Sequence, residues 1–495
     1  MTVKAALSLP FAKYIISKNN TWKNNAVKVQ QDLLLSLVKQ AKNTQFGKDH
    51  SFSEIANYAD WKNNVPVRDY EDLKDSVQEI IDGKENTLWP GKPLYLCKTS
   101  GTTSGVKYIP ISKESMPHHI TAARDAILSY IAETKNTSIV NGKMIFLQGS
   151  PELTKTGDIL TGRLSGIVAH HIPAYLTKNR LPSFKANCIA DWETKVDAIV
   201  DETLPENMSL ISGIPPWVQM YFERLQDKTG KLIKNIFPKF DLFIYGGVNY
   251  EPYRKSFEKL IGKKVDMVEL YPASEGFIAY QDSQKEEGLL LCVNHGIFYE
   301  FIPTEEFFDH NPTRISLVDV EIGVDYVIIL NTNAGLWAYN IGDTIKFVSI
   351  NPYRIIVSGR IKHFTSAFGE HVIAEEVENS LKEALQKYYA EVNEFHVAPE
   401  VNPKNGLPYH EWLIEFEKEP EKLNDFKLLV DEALQKQNSY YKDLILGNVL
   451  RPLEITLISK NGFREYMKSI GKFGGQNKIP RLSNDRKIAD KLTAF

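Results

Sequence analysis

Short apolar runs at 144–147, 208–211, 242–245, 265–270 and 324–330, separated by helical or turn-rich segments, restrict this chain's fold more than any other feature. Runs of this length suit buried strands, and their alternation with helical segments predicts an α/β core with largely parallel sheets. Polar motifs fall where two of these strands end. The run closing at Tyr245 leads into Gly246-Gly247, and the run closing at Leu270 leads into Tyr271-Pro-Ala-Ser-Glu-Gly276. In open α/β sheets, ligands bind beyond the carboxyl ends of strands.

At 495 residues the chain exceeds one compact core, so several units or two unequal domains are expected. Apolar residues at 43% and charged residues at 24% predict a packed core throughout. A net charge of -3 without a long basic run offers no footprint for nucleic acid or an anionic membrane. Small-molecule chemistry is the expectation. Cys97, Cys188 and Cys292 are odd in number and far apart, which points to free thiols in a reducing compartment, the cytoplasm. The apolar patch near the start is interrupted by Pro10 and closed by Lys13, too weak for a signal peptide. No transmembrane segment is expected, because the notable uncharged stretch 208–222 contains Pro215-Pro216 and falls short of the roughly 20 apolar residues a spanning helix needs.

The stretch Thr99-Ser-Gly-Thr-Thr-Ser-Gly-Val-Lys107 follows a strand-like Leu94-Tyr95-Leu96 and concentrates hydroxyls, glycines and one cation. Glycine lets backbone N–H groups turn toward an anion, hydroxyls add donors and lysine adds a point charge, so the loop suits a polyphosphate. Alone, it would equally suit a solvated turn. It is not a P-loop of the G-x-x-x-x-G-K-[ST] kind, since Lys107 follows Gly105 by two positions and precedes Tyr108. Ile111-Ser112 followed by Glu114 reads as the start of a helix running toward Tyr130, whose positive N-terminal end would face bound phosphate.

Two further constellations follow. Tyr271, Ser274 and Glu275 offer a ring to stack on a base, a hydroxyl for a phosphate oxygen and a carboxylate for the magnesium that accompanies ATP; they also suit a turn and helix cap. Tyr339-Asn-Ile-Gly-Asp343 places a carboxylate after a glycine turn and before a strand, suited to two ribose hydroxyls or to an ordinary hairpin. Beyond Gly359-Arg360-Ile361-Lys362 the composition becomes more charged, and an amphipathic helix around Val377 to Tyr388, three strand-like segments and a helix near Asp425 to Gln435 form a small α+β unit. A glycine-rich stretch then reaches Lys478 and Arg481, which suits either a phosphate or carboxylate contact or a solvated basic tail. The pairs His118-His119 and His170-His171 lack a completing cluster for a metal, because adjacent side chains diverge. Phe46-Gly47-Lys48 and Val65-Pro66-Val67 read as a helix exit and a turn into the next helix.

The order of these motifs resembles the adenylate-forming superfamily, and within it the Gretchen Hagen family of acyl acid amido synthetases. The marks are Phe46-Gly47-Lys48, Val65-Pro66-Val67, the inserted Ser104, Tyr271-Pro-Ala-Ser-Glu275, Tyr339-Asn-Ile-Gly-Asp343 and Gln476-Asn-Lys-Ile-Pro-Arg481. The resemblance implies an α/β N-terminal domain, residues 1–359, that binds ATP and the acyl acid, and a small α+β C-terminal domain, residues 360–495, that rotates over it. It implies that Ser100, Gly101, Thr102, Thr103, Ser104 and Lys107 form the phosphate loop. Tyr271, Ser274 and Glu275 would serve adenine, α-phosphate and magnesium, with Gly246 and Gly247 bordering the adenine. Asp343 would hold the ribose with Arg360 beside it, Lys362 would be the hinge, and Lys478 would neutralise the reacting carboxylate and α-phosphate. His170, His171 and Trp217 fall in segments expected to line the acyl pocket. Two departures stand out: the loop lacks the proline of the superfamily pattern, and Asn340 replaces the usual arginine.

The reaction implied has two steps, formation of an acyl-adenylate with release of pyrophosphate and then transfer of the acyl group to an amine, such as an amino acid. The rivals are a thioester-forming acyl-CoA synthetase and a nucleotide-binding or scaffold protein without turnover. The acid, the amine and the oligomeric state cannot be read from these residues.

Overall fold

The computed structural model describes residues 3–102, 105–173, 178–248, 250, 253–361, 364–365, 367–370, 372–470 and 479–494. Its strands, in chain order, are β1 (Tyr95–Thr102), β2 (Gly105–Ile111), β3 (Lys143–Phe146), β4 (Thr154–Thr156), β5 (Ile159–Gly162), β6 (Arg180–Leu181), β7 (Met208–Ser212), β8 (Leu242–Gly246) and β9 (Asp266–Ala273). These are followed by β10 (Gly276–Tyr280), β11 (Leu289–Leu291), β12 (Ile297–Pro303), β13 (Ile315–Ser316), β14 (Asp325–Thr332), β15 (Tyr339–Ile350) and β16 (Tyr353–Arg360). A large domain holds all of these, and a smaller one follows.

Among the described residues, one 12-stranded sheet runs in the order β13-β12-β14-β15-β16-β11-β10-β9-β8-β7-β3-β6. Only the half from β6 to β9 is parallel, where helices such as Pro215–Thr229 and Arg254–Ile261 carry the chain back between strands. From β9 to β13 every pairing is antiparallel. The expectation of largely parallel sheets is therefore corrected for this half: short connections such as Ser274-Glu275 leave no length for a crossover helix and can close only antiparallel neighbours.

A second, 4-stranded sheet has the order β2-β1-β5-β4. β1 and β2 pair antiparallel from Tyr95↔Ile111 to Thr102↔Gly105, so the hydroxyl-rich loop lies at the end of a hairpin. This corrects the helix expected from Ile111. The helix occupies Met116–Thr134, because Ser112 and Ser115 bond each other's backbone N–H and close a turn before it begins. Its N-terminus does not follow the loop directly.

The N-terminal segments serve as scaffolding. A helix at Val3–Lys23 precedes a second at Ala26–Ala41, which buries Leu34, Leu37, Val38 and Ala41 on one face. Trp337 is fully buried and packs against Phe46, Phe52, Trp61 and Trp89 at ring distances of 5.1 to 6.1 Å. Losing such a buried aromatic costs about 3–5 kcal/mol. Arg68 donates its backbone N–H to Ala338 (3.0 Å) and accepts from Asn340 (2.9 Å), so the segment after Val65-Pro66-Val67 pairs with the start of β15. Phe46 stacks on His50 at 4.0 Å, and Arg68 lies 4.6 Å over the Phe46 ring. The two family marks of the N-terminal region therefore hold β15 in place.

The smaller domain contains β17 (Phe364–Thr365) and β18 (Val372–Ile373), then a sheet of β19 (Glu391–Glu400), β20 (Tyr409–Lys418) and β21 (Glu454–Leu457) in that order. Helices Ala374–Tyr388, Leu423–Gln437 and Ser439–Leu446 cover it around the buried Trp412.

Candidate active site

Two strand ends and one bulge carry the side chains of interest. β8 and β9 run parallel with Gly246 opposite Leu270. A Cβ at Gly246 would lie 2.3 Å from the Leu270 carbonyl oxygen, so only glycine allows the two backbones this approach beside Tyr271. Gly247 follows immediately. Ser274 and Glu275 form the two-residue turn between β9 and β10, with Ala273 paired to Gly276. A strand, not a helix, continues from this turn.

Asp343 sits within β15 and not after a turn. On the β14 side, Asn340 pairs with Ile329 and Thr344 with Val327, so the segment between them bulges, with Gly342 at φ 86°. On the other side Asp343 pairs with Arg360 of β16, and Ile361 donates its N–H to Gly342 (2.8 Å). The bulge re-aims the aspartate while keeping it in the sheet. Its side chain is largely buried, at 8% exposure, and Tyr271 donates its hydroxyl to Asp343 Oδ2 at 2.5 Å. The residues expected to serve adenine and ribose therefore touch, although 72 positions separate them.

The hairpin of the hydroxyl-rich loop joins the same place. Cys97, on β1, donates its thiol to Ser274 Oγ at 3.2 Å. Lys107, opposite Thr99 on β2, has its ammonium 5.5 Å over the Tyr70 ring, and the Tyr70 hydroxyl accepts the N–H of Tyr108 (2.9 Å). Ser100, Gly101 and Thr102 belong to β1 by their backbone. Thr103, Ser104, Lys362 and Lys478 lie outside the described residues, as does the side chain of Arg360.

His171 and Tyr95 meet through Nε2 and the phenol oxygen at 3.0 Å, and burial lowers the His171 pKa. The neighbouring His170 contacts the Pro151 carbonyl at 2.7 Å. Trp217, near the start of helix Pro215–Thr229, packs against the apolar core that the large domain shares with Phe368 and Trp412. One buried cation that sequence reading missed lies just past the end of β3. Lys195 is buried, and its ammonium donates to the carbonyls of Gln148 (3.1 Å) and Asn187 (2.8 Å); burial pushes its pKa down to about 8. Its helical spacing to the buried Ile199, four positions on, was the available signal.

Arg481 is a correction to the reading of the terminal motif. Its guanidinium pairs with Glu394 and Glu378 and lies 4.5 Å over Phe395, so it is held within the smaller domain. Among the described residues no group of three or more His, Cys, Asp or Glu side chains could hold a metal ion, and no helix is long and apolar enough to cross a membrane. The three cysteines are free thiols, as expected.

The GH3 family N-terminal domain matches residues 16–188, the GH3 family central domain residues 290–360, and the GH3 family C-terminal domain residues 375–487. Relatives include jasmonoyl–L-amino acid synthetase JAR4 of Nicotiana attenuata, 22% identical over 67% of this chain and 68% of that protein. Another is the probable indole-3-acetic acid-amido synthetase GH3.1 of Arabidopsis thaliana, 22% identical over 94% of this chain and 91% of the relative. The fold is shared with the AtGH3.15 acyl acid amido synthetase solved in complex with 2,4-DB, at a TM-score of 0.63 and 17% identity over 98% of this chain and 96% of that one. It is also shared with a 2-hydroxyisobutyryl-CoA ligase solved with 2-HIB-AMP and CoA, at a TM-score of 0.59 and 14% identity over 95% and 92%. With all three family domains matched in order along its length, this chain belongs to the GH3 family.

Proposed function

We propose that this GH3-family chain is an ATP-dependent acyl acid amido synthetase, which activates a small carboxylic acid as its acyl-adenylate and passes the acyl group to an amine such as an amino acid. The observation that carries this reading is the hydrogen bond between Tyr271 and Asp343, supported by the bond between Cys97 and Ser274, because together they draw three distant motifs to one place. Asp343 is an acceptor-only carboxylate suited to paired ribose hydroxyls, and the closely packed Gly246 leaves a flat backbone edge for a base. Ser274 offers its hydroxyl to the α-phosphate, and the hydroxyls from Ser100 to Ser104 hold the pyrophosphate that leaves.

Carboxylate and triphosphate repel each other, and bringing them together is the main electrostatic task. Lys107 and Lys478 neutralise that charge. The residues fit magnesium in a limited sense: with no protein cage among the described residues, Glu275 alone would hold it together with phosphate oxygens, the usual arrangement for this ion beside a nucleotide. Bound there, magnesium would lower the charge of the triphosphate. Glu275→Ala is expected to raise the magnesium concentration needed for half-maximal rate, and a magnesium titration that overlays the parent curve would remove Glu275 from this role.

We place the domain boundary at Gly359, with 1–359 binding nucleotide and acid and 360–495 supplying Lys478 after the hinge Lys362. His170, His171 and Trp217 line the acyl pocket, and Arg360 stands beside the ribose that Asp343 holds. The free cysteines favour a reducing compartment, the cytoplasm. A panel of carboxylic acids crossed with amino acids, followed by pyrophosphate release and product mass, tests the function. An amide product that depends on both partners is expected. A thioester with coenzyme A and no amide would make the chain an acyl-CoA synthetase, and no acid-dependent pyrophosphate release would make it a binding protein.

A further inference from the structure

Cys97 is fully buried on β1, just before the hydroxyl-rich loop begins. Its thiol donates to Ser274 Oγ at 3.2 Å. Burial pushes the thiol up to about 12, which keeps the proton on sulfur and the thiol a donor across the working range.

Ser274 has one O–H to give and two lone pairs to offer. A thiol hydrogen directed at one lone pair restricts rotation of the hydroxyl, because an O–H pointing back at sulfur would compete with the S–H already there. Its hydrogen is thereby turned away from β1. Hydrogen bonds in series also polarise one another, so a donor into Ser274 strengthens the bond the serine makes in turn. We propose that Cys97 is a positioning residue for Ser274, holding the serine hydroxyl so that its O–H is presented to the α-phosphate of the bound nucleotide. This rests on the reading of Ser274 as a phosphate ligand.

A double-mutant cycle on the full chain tests it, with AMP as the probe and adenosine, which lacks the phosphate, as the control, both measured by calorimetry. Cys97→Ala is expected to weaken AMP binding about 3- to 10-fold, the range of one net hydrogen bond. Adenosine binding should stay within about twofold of the parent, and Cys97→Ser, which restores a donor, should recover most of the AMP affinity. In a Ser274→Ala background, Cys97→Ala should cost AMP nothing further. Equal losses in both backgrounds, or equal losses for AMP and adenosine, would overturn the proposal and leave the thiol a packing group. A different failure is distinguishable: if Ser274→Ala alone leaves AMP affinity unchanged, the phosphate role of Ser274 is wrong and the inference falls with it. Should the alanine variant fail to fold, Cys97→Val keeps apolar volume while removing the donor, and the same outcomes apply.

Discussion

The large domain's strand ends and the smaller domain's sheet use their polar residues differently. At the strand ends, motif side chains from distant parts of the chain meet one another: Tyr271 bonds Asp343 and Cys97 bonds Ser274, around the turn that carries Glu275. In the smaller domain, polar residues are used to hold its own structure. Arg481 pairs with Glu394 and Glu378, and the fully buried His410 meets Glu370 at 2.8 Å. His396 contacts the Pro480 carbonyl at 2.7 Å, which fixes the segment after residue 479 beside β19. A charged residue in a family motif is thus no guide by itself to ligand contact; its partners decide. Nucleotide recognition is assigned to the large domain, and the smaller domain's part in chemistry to Lys478.

The sharpest way to break this division is Lys478→Ala. If the smaller domain contributes its charge only during adenylation, acid-dependent pyrophosphate release should slow by about 100-fold or more, the scale of losing one electrostatic donor. Amide formation from supplied acyl-adenylate should change much less. Equal slowing of both half-reactions with the fold intact, or no change in either, would contradict the assignment.

The large domain's buried histidines should also make the chain sensitive to acid. In the large domain, burial pushes His119 down to about 4 and His295 down to about 3, and lowers His118 as well. Between about pH 6.5 and those values the unfolded chain binds protons that the native chain does not, so stability rises with pH and is lost on acidification. Each imidazole can contribute up to about 1.4 kcal/mol per pH unit in this window. The urea midpoint measured from pH 6.5 to pH 4 should fall, and His295→Gln should flatten the slope; an unchanged slope would show that His295 is already protonated in the native state.

The smallest effect is expected from Arg481→Met. Its ion pairs are partly exposed, and loss of such pairs costs at most about 1 kcal/mol, so a thermal melt should shift by a few degrees or less while ATP affinity is unchanged. A clear loss of ATP affinity would place Arg481 at the nucleotide and blur the contrast between the regions.

Much of the fold was legible because buried strands announce themselves as short apolar runs: those at 208–211 and 242–245 lie within β7 and β8, and that at 324–330 begins one residue before β14. Strand direction was not, since apolarity is the same for parallel and antiparallel neighbours, and the antiparallel half of the large sheet depends on short connections. Ser112 reads equally as a helix start and as the turn it makes with Ser115. At the site, the motif residues were visible by type and order, yet the Tyr271 to Asp343 bond depends on sheet curvature and on a bulge at Gly342 that no spacing rule contains. Cys97 carried no motif at all. Its role became visible only through the position of Ser274, 177 residues away.

The claim that separated motifs of the large domain make one nucleotide site is tested most directly by calorimetric titration of ATP into Asp343→Ala. Loss of an acceptor for two ribose hydroxyls should cost roughly 1 to 3 kcal/mol, a weakening of about 5- to 150-fold, as for hydrogen bonds to a charged group. An ATP affinity equal to that of the parent, in a variant that folds normally, would contradict the account.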